Sequence, residues 1–380
     1  MIRAFYETRR PRPSTTRSSI VPTGLLAILL GLAACGRDED RGGPAGPQDA
    51  GSVTATERDA SLDAIERWLT SGRADNATAI ARRLSERLPA DPHVGLALGR
   101  SLLALGSDAA VDPDLGAPAG ERLSLEAVEV LLPIYRAPGA SGVDRAAVRR
   151  SLGLALEGAG RLDEAIEIYD EASPTDDPIS RFHRGLALLR VDRPGEAFDE
   201  LDRLARERPD DAFILASLAE AALQVDRPDE ARAHANRAVS LDPDTWSIRS
   251  RRASILRRTG DPRIAIESLA SLPEEARLEE VVVQELGACW LDLGRPDAAA
   301  AGWGELARAR REDPGKSIGP ALEAARLHAI AGQDEEAEAW LAIAAALVPE
   351  DRRVAATRVE IDRIRRERSA SNSAAGPPRD

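Results

Sequence analysis

The chain has 380 residues, a formal net charge of −13, and only 3% aromatic residues. Such an acidic chain lacks the basic face that neutralises phosphates, so nucleic acid is excluded as a principal partner. Charge alone also disfavours attachment to anionic lipid. The scarcity of aromatic side chains argues against one large globular core, because such cores bury much of their area on them.

Residues 1–34 are predicted to be a signal peptide. A basic stretch precedes an apolar run from Gly24 to Ala34, which is shorter than the roughly 20 residues that span a bilayer. The run ends in Leu32-Ala33-Ala34-Cys35, which resembles the lipobox of bacterial lipoproteins. The resemblance implies that Cys35 carries lipid and anchors the protein in a membrane. An ordinary cleaved signal or an uncleaved short anchor is the alternative.

The residues next to Cys35 lead to a prediction of location. Gly36 follows the cysteine, which resembles the lipoproteins that enteric-type bacteria sort to the outer membrane, so we expect a bacterial envelope protein that faces the periplasm. Residues 35–57, rich in Asp, Gly, Pro and Thr, are predicted to be a flexible tether. Residues 369–380 are predicted to be a disordered tail.

Six similar phrases recur in the second half of the chain and predict a repeat. The steps between their first residues are 32, 34, 34, 34 and 38 positions, which is typical of stacked identical units. Apolar residues at helical spacing flank each phrase, and its Gly or Asp suits a helix end. A proline two residues later, present in four of the six phrases, fits the first turn of the next helix. Each unit is therefore predicted to be a helical hairpin. The phrases start at Gly160, Asp192, Asp226, Gly260, Gly294 and Gly332.

These hairpins resemble the tetratricopeptide repeat, which has a small residue in its first helix and an alanine twelve positions later. The small residues are Gly153, Gly185, Ala219, Ala253, Gly287 and Ala325, and the alanines are Ala165, Ala197, Ala231, Ala265, Ala299 and Ala337. The resemblance implies an all-α fold, a right-handed α-solenoid that binds proteins and is not an enzyme. Generic helical hairpins in an alanine-rich chain are the alternative.

The solenoid is expected to cover residues 58–349. This range holds about eight units, with a loop insertion near 107–122. A capping helix is expected at 350–368, because an uncapped solenoid exposes an apolar end. The residues of this helix that should face the stack are Val354, Ala355, Val359, Ile361 and Ile364.

The chain offers few candidates for chemistry. Its four histidines form no H-E-x-x-H pair and lie at no metal-ligand spacing with a cysteine. Cys289 is the only cysteine besides Cys35, and it is predicted to be a buried, inert thiol. There is no glycine-rich phosphate loop and no G-x-S-x-G. We therefore predict no catalytic residue, metal or cofactor.

The family resemblance implies a groove lined by the first helices of the hairpins. Its arginines would hold carboxylates of a partner, and its two phenylalanines would be apolar anchors. Arginine is the main basic residue everywhere in this chain, so chance placement is the alternative, and a site on the convex face is equally open. The predicted groove residues are Arg150, Glu157, Phe182, Arg190, Phe213, Glu220, Gln224, Arg257, Arg258, Gln284 and Arg326.

Two classes of function follow. The first is a membrane-anchored scaffold for protein partners in an envelope assembly of the export, pilus or polysaccharide-secretion type. The alternative is an accessory lipoprotein that binds glycan or peptidoglycan. A glycan binder should show clustered exposed aromatic residues, whereas the five tryptophans fall in separate units, which favours the scaffold. They are Trp68, Trp246, Trp290, Trp303 and Trp340.

Overall fold

The fold is taken from a computed structural model that describes residues 53–109, 117–137, 142–171 and 177–374. The predicted signal peptide, Cys35 and nearly all of the predicted tether lie outside these ranges. The last six residues of the predicted tail lie outside them as well.

Within these ranges the chain forms eighteen helices and no strand. They are α1 (Ala55–Thr70), α2 (Ala74–Arg87), α3 (Pro92–Ala109), α4 (Ala117–Arg136), α5 (Arg145–Gly158), α6 (Leu162–Asp170), α7 (Pro178–Arg190), α8 (Pro194–Glu207), α9 (Ala212–Gln224), α10 (Pro228–Leu241), α11 (Trp246–Arg258), α12 (Pro262–Ala270), α13 (Glu274–Arg277), α14 (Glu280–Asp292), α15 (Pro296–Ala309), α16 (Pro314–Ile330), α17 (Asp334–Leu347) and α18 (Arg352–Ala374). No helix in the described ranges is both long and apolar enough to cross a membrane.

The helices pair into eight hairpins, and each hairpin packs on the next. The pairs are α1/α2, α3/α4, α5/α6, α7/α8, α9/α10, α11/α12, α14/α15 and α16/α17, with the short α13 before the seventh and α18 closing the stack. Contacts join neighbours along the chain, as in a solenoid. The predicted all-α solenoid of helical hairpins is confirmed.

The recurring phrase is the turn inside each hairpin. Its first residue has positive φ in all six copies, and Asp192 and Asp226 take this left-handed conformation with φ of 59° where the other copies have glycine. The residue after it donates its backbone N–H to a carbonyl near the end of the first helix, as Arg161 N does to Leu156 O at 2.9 Å. This bond closes the first helix, and the next helix begins one or two residues later. The local turn chemistry therefore explains why the phrase repeats.

The alanine of each phrase lies where the two helices of a hairpin cross. All six alanines are 0–1% exposed. A methyl group there lets the helix backbones approach closely, so larger apolar residues on either side can form one continuous core. The solenoid core is correspondingly split into several clusters, the largest of which is centred on α9.

Three element boundaries differ from the sequence-based expectations. Helix α1 starts at Ala55, ahead of residue 58, because Thr54 and Glu57 form a reciprocal capping box. Helices α3 and α4 continue to Ala109 and from Ala117, so the insertion expected at 107–122 is shorter at both ends. Pro118 is compatible with this, since the first turn of a helix tolerates proline.

The last helix, α18, is longer than predicted and closes the stack. It runs to Ala374, into the stretch expected to be a disordered tail. Ile361 is 1% exposed against the terminal core cluster, but Val359 is 66% exposed, so the expectation that Val359 faces the stack is wrong. Arg365 holds the helix in place through Nε to Asp334 Oδ1 at 3.0 Å and Nη1 to Glu338 Oε1 at 2.7 Å.

Candidate partner-binding surface

The first helices of the hairpins form the inner layer of the stack. Each of α1, α3, α5, α7, α9 and α11 contacts the next first helix along the chain. Successive second helices pack against one another less closely. A stack of hairpins curves toward its more closely packed layer, so this layer is concave. We call its solvent-facing side the inner face.

Ion pairs about one repeat apart link successive helices on the inner face. Arg100 on α3 reaches Glu66 on α1, with Nη1 2.9 Å from Oε2. Arg258 on α11 reaches Glu220 on α9, with Nη1 2.5 Å from Oε1. These pairs brace one repeat against the next, although exposed pairs contribute only about 0–1 kcal/mol each.

Arg257 pairs with two carboxylates of the following repeat. Its Nε lies 2.8 Å from Glu285 Oε1 and its Nη1 lies 3.0 Å from Asp292 Oδ2. Burial acts to lower the pKa of Arg257, but the hydrogen bonds to both carboxylates outweigh it and raise that pKa above its ordinary value. The guanidinium is therefore already occupied within the chain.

Arg150 is engaged in the same way by a buried carboxylate. Its Nη1 lies 3.2 Å from both oxygens of Asp177, whose side chain is 2% exposed. Asp177 also caps α7 by accepting the backbone N–H groups of Ile179 and Ser180, and it accepts the Ser180 hydroxyl at 2.7 Å. Arg150 thus neutralises a helix cap.

Glu157 is the centre of a polar cluster between α5, α6 and α7. Tyr169 Oη donates to Glu157 Oε1 at 2.7 Å, His183 Nδ1 lies 3.4 Å from the same oxygen, and Arg190 Nη1 lies 4.0 Å from Oε2. Burial, with the charge and hydrogen bond of Glu157, raises the pKa of Tyr169 well above 10. The phenol therefore stays protonated and joins two helices of the hairpin.

Most of the predicted groove arginines are thus not free to hold a partner. Arg326 likewise donates Nε to Glu323 Oε2 at 2.9 Å, one turn away on α16. Gln224 donates to Glu220 at 3.2 Å, the carboxylate that Arg258 already engages. Arg190 is the most open of the set, with half of its side chain exposed.

The prediction that Phe182 and Phe213 anchor a partner is wrong. Their exposed fractions are 1% and 6%, and both rings lie in the core cluster that contains Leu201 and Ile214. Phe182 stands three residues before Gly185, on the helix face that packs against α8, which explains its burial. These rings stabilise the stack and are unavailable to a ligand.

Gln284 lies in a cleft that the sequence did not predict. The cleft has a volume of about 430 Å³ and lies between α14, α15 and α16. Leu291, Trp303 and Leu327 provide its apolar wall, and Glu323 lies at its edge. Sequence reasoning missed it because Trp303 is on a second helix, whereas the predicted groove used first helices alone.

The thiol of Cys289 is expected to be unreactive in the folded protein. The side chain is fully buried on α14, and burial, followed by the charge of Glu285, raises its pKa to about 12. At pH 8 roughly one thiol in 10⁴ would be ionised, against a large fraction for an ordinary cysteine. We expect iodoacetamide to modify Cys289 only after urea is added. Equal rates with and without urea, measured by mass spectrometry, would contradict the burial. No group of three or more potential metal ligands occurs in the described ranges.

Comparison with known protein families agrees with the hairpin geometry. A tetratricopeptide repeat family model matches residues 126–178 and 216–277. The chain contains tetratricopeptide repeats. The two matched segments cover α4 to α6 and α9 to α12, and the hairpins between and beyond them have the same turn, the same crossing alanine and the same packing order. No curated protein matches the chain.

Solved structures of other tetratricopeptide repeat proteins are similar at low identity. A protein from Parabacteroides merdae ATCC 43184 is 14% identical over 69% of this chain and 98% of its own, with a TM-score of 0.46. A thermophilic protein of Thermus thermophilus is 23% identical over 52% of this chain and 98% of its own, with a TM-score of 0.39. The Cut9–Hcn1 hetero-tetramer of the APC/C is 14% identical over 82% of this chain and 57% of the other, with a TM-score of 0.46.

Tetratricopeptide repeat proteins are generally non-catalytic scaffolds for protein–protein interaction. The fold of this chain is that of such a scaffold, and protein partners are what it implies.

Proposed function

We propose that this chain is a lipid-anchored scaffold that holds protein partners together in an assembly of the bacterial cell envelope. The observation that carries the proposal is the unbroken stack of eight hairpins, whose ion pairs link one repeat to the next. Such a stack offers a long, firm surface for partners. Assemblies for export, pilus formation or polysaccharide secretion are the type that such an anchored scaffold would serve.

The anchor is the second part of the proposal. Leu32-Ala33-Ala34-Cys35 follows an apolar run of the length found in secretory signals, and acylation of Cys35 would add about 0.8 kcal/mol of membrane affinity for each buried CH₂. Gly36 supports the outer membrane, facing the periplasm, as the location.

The alternative of glycan binding is less well supported by the tryptophans. Trp340 is 6% exposed, and Trp290 and Trp303 pack against the core clusters of their own repeats. Trp68 is partly buried in the core of the first repeats, where Arg73 lies 5.4 Å above its ring. These rings pack within the stack, whereas sugar stacking needs them side by side on one surface.

Two measurements test the proposed function. Cys35→Ala is expected to move the protein from the membrane fraction to the soluble fraction, because the lipid would no longer be attached. Retention in the membrane fraction would remove the lipid anchor from the proposal. Affinity purification of the wild-type chain from detergent-solubilised envelope should recover the same protein partners repeatedly, and recovery of none would remove the scaffold.

A further inference from the structure

Two arginine pairs occupy the same positions in two different repeats. In α7 they are Arg181 and Arg184, and in α11 they are Arg249 and Arg252. The members of each pair stand four and one residues before the small residue where the helices of the hairpin cross. The two repeats therefore show one arrangement of guanidinium groups with two sets of partners.

In the repeat of α7 the partners are carboxylates. Arg184 donates through Nε to Asp170 on α6, and its Nη1 lies 3.4 Å from Glu200 on α8. Arg181 donates through Nε to Glu200 at 2.6 Å and through Nη1 to Glu207 at 2.8 Å. Burial acts to lower the pKa of Arg181, but the hydrogen bonds to Glu200 and Glu207 outweigh it and raise that pKa. This pair is fully compensated.

In the repeat of α11 the same donor atoms of the second arginine meet neutral groups. Arg252 donates through Nε to Asn236 Oδ1 on α10 at 2.7 Å and through Nη1 to Ser268 Oγ on α12 at 3.2 Å. Arg249 donates through Nη2 to the Ser268 carbonyl oxygen and to Ser271 Oγ. In the described part of the chain, neither arginine forms an ion pair with a carboxylate.

The neutral partners replace the carboxylates position for position. Asn236 is the fifth residue after the crossing alanine of its helix, as Asp170 is in α6. Ser268 is the third residue after the crossing alanine of its helix, as Glu200 is in α8. The repeat of α11 thus keeps both guanidinium groups and loses the two negative charges that balance them elsewhere in this chain.

The uncompensated pair is costly for the isolated protein and open to solvent. Burial, and then the like charge of Arg249, lowers the pKa of Arg252 below its ordinary value. Asn236 and Ser271 are exposed, and both arginines are half-buried. Nε and Nη1 of Arg249 and Nη2 of Arg252 donate none of the hydrogen bonds found within the described residues. A bound anion would therefore find donors ready and charge to neutralise.

We propose that the recess formed by Arg249, Arg252, Asn236, Ser268 and Ser271 is a docking site for an aspartate or glutamate side chain of a protein partner. The inference rests on the proposed scaffold function and names the chemistry of the partner. A carboxylate is the occupant because, in α7, aspartate and glutamate meet the equivalent donors. The planar guanidinium also matches a carboxylate geometrically. The recess lies between the second helices α10 and α12, on the outer layer, whereas most of the predicted inner-face arginines are already paired.

The test compares reciprocal variants of the full chain in detergent, with fluorescein-labelled hexaglutamate as the probe. Asn236→Asp combined with Ser268→Glu gives α11 the carboxylates of α7, and we expect about a tenfold or greater loss of affinity in fluorescence anisotropy. Asp170→Asn combined with Glu200→Ser gives α7 the neutral partners of α11 and should add a second site. Arg263→Ala, an exposed arginine of α12, is the control for attraction by charge alone and should leave the affinity unchanged.

Each result decides the proposal. Unchanged affinity in the Asn236→Asp, Ser268→Glu variant, with a normal circular dichroism spectrum, would overturn it. Binding of inorganic phosphate without binding of hexaglutamate would show an oxyanion site and also overturn it. If wild type and variant recover the same partners from the envelope, the docking site is wrong while the scaffold stands. If wild type recovers none, the scaffold fails, and the hexaglutamate titration alone decides the site.

Discussion

Replacing Phe182 with alanine is expected to lower the free energy of unfolding by about 3–5 kcal/mol. The ring is 1% exposed and lies in the cluster that α7, α8 and α9 build together. Truncation removes its buried apolar area and leaves a cavity that the rigid hairpins on either side cannot close. Urea unfolding of the full chain, followed by circular dichroism, measures the change.

Val359→Ala is the matched control for Phe182→Ala. This side chain is 66% exposed on α18, so its truncation should change the free energy of unfolding by no more than about 0.5 kcal/mol. A partner anchor at Phe182 would behave differently, because its loss would weaken binding and leave unfolding unchanged. An unchanged unfolding midpoint for Phe182→Ala would therefore restore the anchor and contradict the packing.

The sequence predicts the hairpins well because their determinants are local. The turn at Asp192, for example, needs a residue that accepts positive φ, followed by a proline that can begin α8. Both signals lie within three residues of each other. Boundaries set by less regular signals were missed, as at Ala374, where an alanine- and serine-containing segment continues the helix beyond the predicted end.

The side-chain partners on the inner face could not be predicted in this way. Arg257 lies 28 and 35 positions from Glu285 and Asp292, and nothing in the local pattern says which carboxylate will occupy it. The positions of Phe182 and Phe213 were likewise taken from the family's groove, but the rotation of each helix turned these rings into the core. Helix periodicity gives the face of a residue only to within a turn.

The difference between the arginine pairs of α7 and α11 needed both kinds of information. The repeat register aligns Asn236 with Asp170 and Ser268 with Glu200, and the alignment is readable from the sequence. Only the structure shows that these residues are the partners of Arg184 and of its counterpart in α11. An internal repeat thus provides the comparison that homologous sequences would otherwise supply.

Gly153→Ala is expected to lower the free energy of unfolding by about 1–3 kcal/mol, although alanine is the better helix former. A Cβ at this position would lie 2.3 Å from Tyr169 Cε1 and 2.4 Å from its Cζ, so the ring must move. Tyr169 is 1% exposed and its hydroxyl donates to Glu157 at 2.7 Å, so moving it disturbs the core and breaks a hydrogen bond between helices. Urea unfolding measures this loss.

Gly195→Ala is the matched control, because the same change has the opposite sign there. No heavy atom lies within 4 Å of a Cβ at Gly195 in the first turn of α8, so this variant should gain up to about 1 kcal/mol from helix propensity. A Gly153→Ala variant that gained stability as well would show that Tyr169 can be displaced without cost.

A second substitution at Tyr169 separates the steric cost from other effects. Other repeats of this chain combine an alanine at the crossing position with a leucine at the position of Tyr169, as in Ala253 with Leu269. In Tyr169→Leu, the added methyl group of Gly153→Ala should therefore cost less than it does opposite tyrosine. The two losses should be non-additive by roughly 0.5–3 kcal/mol, as expected for residues in contact. Additive losses would mean that Gly153 is required for a reason other than the space it leaves for the ring.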